Sequence, residues 1–524
     1  MVNETICLET FYNFNKIGAV IATLYATLGE DGIVHGINET QAKYVITTNI
    51  LMSKLEKNKE KFSFLRCIIY MEGFKPPQIN GFGSQFKIIS FSQLEKQGKN
   101  TDIHYIQKVG ANMKNNTAIL MYTSGSTGTP KGVNITHQNL LATARAFGLF
   151  KEMFGKDDIY IGYLPLAHSF ELAVELLIMS YGISIGYGHP LTLTNKSPGI
   201  KEGTQGDVVA LKPNVIVAVP LVLDNIRKGI NEELKQRGKL FHEIFNFAVD
   251  YKTKWRQRGF QTPIVNRLIC NKIKPILGGQ LKTMVVGAAP LSAPTQNFIA
   301  SCFDIYLMQG YGLTETMASA TCMDPSEIAT ERIGPPLPGI KVKLIDWEEG
   351  GYRPSDKPNP RGEIVVGGDN VTAGYYKNPE LTRESYYEDK NGVRWFKTGD
   401  IGEFYPNGSI KLIDRKKDLI KLQFGEYISL NKVESELKSC NFIDNICVYG
   451  NPMCEYVIAL VVPNAKALKI LADQFGRENM SFEQLCDDNL ITQEVTRMIQ
   501  QHGEQAQLSK REIPAKIKLC SDEW

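Results

Sequence analysis

Residues 122–133 read YTSGSTGTPKGV, and this glycine-rich stretch constrains the chain more than any other. It follows residues 117–121, an apolar run with β-branched members that predicts a buried strand. Glycine lets the backbone turn and approach a ligand closely, and successive N–H groups in such a turn bind anions. The stretch therefore predicts a loop that binds the phosphates of a nucleoside triphosphate. The residues expected to contact them are Thr123, Ser124, Gly125, Ser126, Thr127, Gly128 and Lys131.

The Walker loop is the competing phosphate motif, and it requires a Ser or Thr directly after its lysine. Here Gly132 follows Lys131, and Gly125 and Gly128 are only three positions apart, so the Walker pattern fails. A glycine-rich surface hairpin without a ligand is the other alternative. The density of hydroxyl groups after a buried strand favours phosphate binding over that hairpin.

A second motif, residues 309–316, reads QGYGLTET. Tyr311 could stack on a purine, Thr314 could donate to a phosphate and Glu315 could hold magnesium. One glutamate is enough, because Mg²⁺ usually takes one or two protein carboxylates and completes its shell with phosphate oxygens and water. A plain surface turn is the alternative. The other members of the predicted nucleotide site in this motif are Gln309, Gly310 and Gly312.

Two further stretches could contact a nucleotide. Residues 283–287 predict a buried strand, and ligands in open α/β sheets bind beyond the carboxyl ends of strands. The loop that follows can therefore lie against a flat ring, although a tight turn into the next helix explains it equally well. Asp400 is suited to accept hydrogen bonds from two ribose hydroxyls, and Arg415 could reach the same ribose. The loop predicted to lie against a flat ring, after the strand at residues 283–287, consists of Gly287, Ala288, Ala289 and Pro290.

Composition limits the class of protein. At 524 residues the chain predicts more than one domain. Hydrophobic residues at 43%, charged residues at 22% and a net charge of +3 give no argument for nucleic acid binding. The ten cysteines include no C-x-x-C pair, which argues against a zinc or redox site. The N-terminus lacks a secretory signal pattern, and no run approaches the ~20 apolar residues of a spanning helix.

Strands alternate with helices along most of the chain, which predicts βαβ units, mainly parallel sheets and an α/β fold. Residues 96–116 predict a loop, and residues 223–258 predict an amphipathic outer helix. Asn38 and Gln41 form a capping-box pattern that predicts a helix over residues 39–44.

Five segments resemble the adenylate-forming superfamily in its order: the phosphate loop, residues 287–291, YGLTET, TGD and DRKK. That superfamily holds acyl-CoA synthetases, peptide-synthetase adenylation domains and luciferases. Residues 395–434 are similar to the longer signature of fatty acyl-CoA synthetases, and residues 23–29 resemble the eukaryotic long-chain type. The resemblance covers nearly the whole chain, from residue 17 onward.

The resemblance implies a large AMP-binding domain of mainly parallel sheets and helices over residues 1–413, whose N-terminal part is missing. A hinge over residues 414–419, with Asp414 and Lys417, would lead to a small mobile α+β domain over residues 420–524. Because no segment matches the family's C-terminal catalytic lysine, we expect this small domain to be incomplete and adenylation to be weakened, while nucleotide binding survives.

The resemblance also implies a reaction. A long-chain fatty carboxylate attacks ATP in the presence of Mg²⁺ to give acyl-AMP, and coenzyme A then accepts the acyl group. Lys131, Thr314 and Glu315 would be catalytic, and His168 would lie on the substrate side. The family analogy places the protein on the cytoplasmic face of the endoplasmic reticulum, peroxisome, mitochondrial outer membrane or lipid droplet. The alternatives are a ligase for another carboxylic acid and a catalytically deficient nucleotide-binding regulatory protein.

Overall fold

The computed structural model describes residues 18–25, 28–73, 80–99, 114–123, 130–423, 427–451 and 453–522. The strands of these residues are Ile21–Thr23 (β1), Tyr44–Thr48 (β2), Cys67–Met71 (β3), Lys87–Ser90 (β4), Thr117–Thr123 (β5), Lys131–Thr136 (β6), Ile159–Gly162 (β7), Ser184–Tyr187 (β8), Val215–Ala218 (β9), Thr283–Val286 (β10), Tyr306–Tyr311 (β11), Thr321–Cys322 (β12), Lys341–Ile345 (β13), Arg361–Gly367 (β14), Tyr386–Glu388 (β15), Arg394–Phe404 (β16), Ile410–Arg415 (β17), Leu419–Lys421 (β18), Tyr427–Ser429 (β19), Ile443–Tyr449 (β20), Ile458–Pro463 (β21) and Lys516–Leu519 (β22).

The α-helices of the same residues are Glu30–Glu39 (α1), Met52–Lys57 (α2), Phe91–Lys99 (α3), His137–Ala146 (α4), Ser169–Ser180 (α5), Asp207–Leu211 (α6), Pro220–Gln236 (α7), Lys239–Gln257 (α8), Pro263–Val265 (α9), Asn271–Ile273 (α10), Ala293–Phe303 (α11), Pro379–Ser385 (α12), Leu430–Leu437 (α13), Ala465–Gln474 (α14), Phe482–Asp487 (α15) and Asn489–Gln505 (α16).

A six-stranded sheet forms the centre of the large domain, in the order β12-β11-β10-β9-β7-β8. Strands β7 to β11 are parallel, and β12 adds an antiparallel edge. All four residues of β9 are buried, as expected for a parallel strand covered on both faces. Helices α7, α8 and α11 supply Leu223, Phe245 and Phe298 to the apolar core beside this sheet.

Smaller sheets surround the central one. Strands β2, β3 and β4 form a parallel sheet, and β5 lies between a parallel β1 and an antiparallel β6. Strands β13 to β17 form an antiparallel sheet. The prediction of an α/β fold with mainly parallel sheets in the large domain is therefore confirmed.

In the region predicted to be the small domain, a β20-β21-β22 sheet packs with α13 to α16 around its own apolar core. Hydrogen bonds and a ring contact join this region to the rest of the chain. The Lys228 Nζ atom donates to the Ile443 carbonyl at 2.6 Å, and the Tyr427 hydroxyl donates to the Glu349 carbonyl. The Tyr427 ring also lies 5.9 Å from the ring of Trp347.

The predicted helix over residues 39–44 is wrong. The helix is α1, which ends at Glu39, and Asn38 lies in its last turn. The Asn38 side chain bridges to the Lys61 carbonyl and the Ser63 amide, so it ties two segments together instead of capping a helix. Gln41 has a φ of 53°, which excludes it from a right-handed helix.

Two other predicted elements differ in their bounds. The amphipathic helix over residues 223–258 is two helices, α7 and α8, separated at Gly238, whose φ of 118° is open to glycine but not to most residues. The loop predicted from residue 96 begins inside helix α3, and residues 100–113 lie outside the described part of the chain.

Candidate active site

The phosphate-loop prediction falls on the connection between β5 and β6. These strands are antiparallel, and Thr123 pairs with Lys131. The connection is therefore a hairpin loop, with Lys131 at the start of β6. The intervening residues Ser124, Gly125, Ser126, Thr127 and Gly128 lie outside the described part of the chain, so their predicted phosphate contacts stay predictions.

Lys131 and Glu315 both contact the side chain of Tyr375. The Lys131 Nζ atom lies 5.8 Å from the centre of the Tyr375 ring, within the range of a cation–π contact. The Tyr375 hydroxyl donates to Glu315 Oε1 at 2.8 Å. Burial, and next the Glu315 carboxylate, raise the pKa of Tyr375 well above its ordinary value, so the hydroxyl keeps its proton. The structure thus joins two predicted site residues through a tyrosine that motif reading missed.

The turn that carries Thr314 and Glu315 is tightly constrained. A Cβ atom on Gly312 would lie 2.3 Å from the Ala318 carbonyl carbon, so only glycine fits there. Met317 and Ala318 both have positive φ, at 47° and 58°. Such a backbone is unfavourable for residues with a side chain and persists only where the surroundings hold it. Backbone strain of this kind clusters at active sites, which agrees with the role predicted for the second motif.

Tyr311, Asp400 and Arg415 form a second group. The Tyr311 hydroxyl donates to Asp400 Oδ2 at 2.5 Å, and Arg415 Nε lies 3.4 Å from Asp400 Oδ1. Asp400 and Arg415 face each other across β16 and β17, so strand pairing positions the two side chains. Asp400 is 2% exposed, and this burial raises the pKa of its carboxyl to about 6. The two side chains predicted to share one ribose therefore lie side by side, and their contact with a ribose stays a prediction.

The small-residue loop begins beside the second motif. Strands β10 and β11 are parallel neighbours, so Gly287 lies next to Gly310. A Cβ atom on Gly287 would lie 3.2 Å from the Gly310 carbonyl oxygen and 3.3 Å from the Phe170 ring. Beyond this close contact, Ala288, Ala289 and Pro290 are exposed and open to a ligand. The small-residue loop and the second motif therefore leave the central sheet at the carboxyl ends of neighbouring parallel strands.

Gln309 differs from expectation. Its side-chain amide is buried and donates to Gln296 Oε1 at 2.8 Å. It holds β11 against α11, so its side chain belongs to the core and not to a nucleotide site. Motif reading failed here because alternate side chains of a strand point to opposite faces.

His168 has a structural role at the start of α5. Its Nδ1 atom accepts a hydrogen bond from the Phe170 amide at 3.1 Å, which caps the helix. Burial lowers the pKa of His168, which keeps the ring neutral and able to accept this bond. Because Phe170 packs toward Gly287, the beginning of α5 lies beside the candidate site. The substrate-side role of His168 stays a prediction.

The same helix carries a buried acidic group. Tyr160 donates to both oxygens of Glu171 at 2.9 Å, and Glu175 accepts from Tyr187 at 3.2 Å. Burial, and next the Glu175 carboxyl, raise the pKa of Glu171 well above its ordinary value. Both glutamates are fully enclosed, and sequence reasoning assigned them no role.

The predicted hinge runs from the end of β17, which contains Asp414, to the start of β18. Asp414 Oδ1 accepts from the side-chain amide of Asn431 at 3.0 Å, and the same amide donates to Asp418 at 2.7 Å. Lys416 pairs with Glu363 of the large domain at 2.5 Å. Lys417 lies in the intervening turn. The segment is thus fastened to both domains, and its action as a hinge stays a prediction.

Glu315 is the candidate magnesium ligand of this site. In the part of the chain that the structure describes, no three His, Cys, Asp or Glu side chains cluster as metal ligands. A half-buried carboxylate, Glu315, stands beside the hydroxyl-bearing Thr314. This set suits Mg²⁺ that shares its shell with nucleotide phosphates, because such an ion takes few protein ligands.

Comparisons with known proteins agree with these observations. The AMP-binding enzyme family matches residues 2–376. The chain is 44% identical over 96% of its length to long chain acyl-CoA synthetase 8 of Arabidopsis thaliana, of which it covers 71%. It is 34% identical over 99% of its length to long-chain-fatty-acid–CoA ligase 1 of Saccharomyces cerevisiae, of which it covers 75%.

A solved structure shares the fold. The A domain of carboxylic acid reductase from Segniliparus rugosus, in complex with AMP and a co-purified carboxylic acid, matches with a TM-score of 0.75 and 21% identity. The match covers 97% of this chain and 74% of that one. At this identity the likeness concerns the fold alone.

Proposed function

Because the chain belongs to the AMP-binding enzyme family, among the long-chain acyl-CoA synthetases, we propose that it activates long-chain fatty acids with ATP and transfers them to coenzyme A. The observation that carries this substrate class is the 44% identity to a long chain acyl-CoA synthetase across 96% of the chain. The joined Lys131, Tyr375 and Glu315 group supports the chemistry.

In the first step a fatty carboxylate oxygen attacks the α-phosphate of ATP, the bond to the β-phosphate breaks, and acyl-AMP and pyrophosphate form. A carboxylate approaching a polyphosphate meets repulsion, so positive charge must surround the reacting atoms. Lys131 supplies one such charge, and Thr314 donates a hydrogen bond to a phosphate. Bound Mg²⁺ neutralises further phosphate charge. Glu315, oriented by Tyr375, is the residue that would hold it.

Asp400 and Arg415 bind the ribose in this proposal. As a carboxylate, Asp400 accepts hydrogen bonds from two hydroxyls, and Tyr311 already fixes one of its oxygens. The exposed Ala288 to Pro290 backbone then lies against the adenine ring. In the second step the thiol of coenzyme A attacks the acyl carbonyl and AMP leaves. The small domain turns about residues 414–419 between the two steps.

We also propose that the protein works at a membrane surface, where long-chain fatty acids accumulate. None of the helices in the described residues is long and apolar enough to cross a bilayer.

A substrate panel tests the proposed function. The purified chain is incubated with ATP, Mg²⁺ and coenzyme A, and with a long-chain fatty acid, an aryl acid or an amino acid, and the thioester is identified by mass spectrometry. The proposal predicts fatty acyl-CoA as the main product. If the main product were instead an aryl-CoA or an aminoacyl-CoA thioester, the protein would be assigned to that substrate class. Bound ATP without any thioester would favour a non-catalytic nucleotide-binding protein.

A further inference from the structure

Helix α8 exposes a large apolar surface. Leu240, Ile244, Phe247 and Tyr251 recur at intervals of three and four residues, so they share one side of the helix. Leu240 is 75% exposed and Phe247 is 73% exposed. The opposite side of the helix, with Phe245 and Val249, is buried in the core of the large domain. Helix α8 therefore has two apolar sides, and the fold buries only one.

The segment after α8 extends this surface. The rings of Phe247, Tyr251, Trp255 and Phe260 follow one another at centre distances of 6.4, 5.9 and 5.4 Å. Ile264, next along the chain, is 75% exposed. We call this surface the α8 face. Its members are Leu240, Ile244, Phe247, Tyr251, Phe260 and Ile264. Contiguous exposed apolar surfaces of this kind mark interaction sites.

The α8 face lies in the most basic part of the chain. Residues 235–274 hold ten Lys or Arg side chains and two Asp or Glu side chains, a net charge of +8, whereas the whole chain carries +3. Some of these basic side chains form ion pairs within the fold, as Lys252 does with Asp304 at 2.7 Å. Others are exposed beside the apolar side chains. Lys254 is exposed, and the Arg258 guanidinium lies 5.6 Å from the Trp255 ring centre.

We propose that the α8 face docks onto an anionic lipid bilayer and lies in its interface, and this inference extends the membrane contact in the proposed function. Aromatic and aliphatic side chains on one side of a helix, flanked by Lys and Arg, suit the boundary between headgroups and acyl chains. The basic side chains complement anionic headgroups, and each contributes about a fivefold gain in affinity near such a surface. A second copy of the chain fits less well, because a two-fold interface would bring two equally basic segments together.

Vesicle sedimentation of the full chain tests this docking. Vesicles of phosphatidylcholine with phosphatidylserine are compared with vesicles of phosphatidylcholine alone. The test variant is Ile244→Glu/Phe247→Glu, and the matched control is Ile470→Glu, at a similarly exposed site on α14. The proposal predicts binding to the anionic vesicles, at least about a tenfold weaker partition of the test variant, and no change in the control.

A second pair of variants isolates the charge. Lys254→Glu/Arg258→Glu should weaken binding to the anionic vesicles by at least about tenfold and reduce its salt dependence, since two basic contacts are lost. Lys466→Glu/Lys469→Glu on α14 makes the same charge change elsewhere and should leave binding intact. Thermal unfolding should be the same for all variants, because every substituted side chain is exposed.

The outcomes separate docking from the ligase reaction. Pyrophosphate release with a dissolved fatty acid and no vesicles should be equal in wild type and the α8 face variants. If wild type releases no pyrophosphate but binds vesicles through the α8 face, the proposed function fails and the docking stands. Vesicle binding that is absent, or unchanged in both test variants, overturns the docking. Loss of a dimer in Ile244→Glu/Phe247→Glu, without vesicle binding by wild type, assigns the face to a second copy instead.

Discussion

Asp400→Asn should make the free protein more stable at neutral pH while it weakens nucleotide binding. Asparagine has the same size and no charge, and its oxygen can still accept the hydrogen bond from Tyr311. The lost ion pair with Arg415 contributes little, because that side chain is 63% exposed and screened by water. Removal of the buried charge is then the dominant change.

The magnitude follows from the pKa of Asp400. Burial raises it to about 6 from an ordinary value of 3.8. A difference of about 2 corresponds to about 3 kcal/mol between the protonated and ionised forms. Because the pKa is higher in the folded protein, the stability contributed by this group is fully present below pH 3.8 and is lost as the pH rises through about 6. Asparagine avoids that loss of about 3 kcal/mol.

Thermal unfolding of both proteins without nucleotide, over a pH series, measures this effect. The Tm of Asp400→Asn should exceed that of wild type at neutral pH, and the difference should close as the pH falls to 3.8. ATP affinity, from titration calorimetry, should be lower in the variant at every pH above the wild-type pKa. A variant that unfolds at a lower temperature than wild type at neutral pH would refute the argument. In that case the stabilisation of the carboxylate by its partners would exceed the free-energy cost of burying its charge.

Three other substitutions probe separate features of the site. Tyr375→Phe removes the hydroxyl that donates to Glu315 and should raise the Mg²⁺ concentration needed for half-maximal pyrophosphate release by at least about tenfold, since a hydrogen bond to a charged group contributes about 1.5–3 kcal/mol. Tyr160→Phe leaves the enclosed Glu171 without this donor and should lower the free energy of unfolding by about 1–3 kcal/mol, seen as a reduced Tm. Gly312→Ala places a Cβ atom 2.3 Å from a backbone carbon and should abolish pyrophosphate release.

Matched controls keep each result specific. Tyr376→Phe changes the neighbouring tyrosine and should not alter the Mg²⁺ dependence. Tyr44→Phe changes an exposed tyrosine and should leave the Tm unchanged. Gly29→Ala adds a methyl group where nothing lies within 4 Å, so release should persist. A variant that behaves like its control would show that the proposed contact does not matter.

The sequence predicted the buried strand that leads to the small-residue loop, observed as β10. Gly287 and Gly310 follow buried apolar runs, and parallel strands bring their carboxyl ends to one edge. Tyr375 was missed because it lies 60 residues from Glu315 and carries no motif of its own. The orientation of Gln309 was missed because a motif does not say which face of its strand a side chain occupies. Similarly, the periodicity of α8 cannot tell its buried apolar side from its exposed one, represented by Phe247.

Pyrophosphate release by the purified chain with ATP, Mg²⁺, coenzyme A and a long-chain fatty acid tests the central claim most directly. Glu315→Ala is the control, because it removes the proposed magnesium ligand without touching the ribose group at Asp400. The account predicts release that depends on the fatty acid and is lost in the control. Release that is independent of the fatty acid, or equal in Glu315→Ala, would contradict the account.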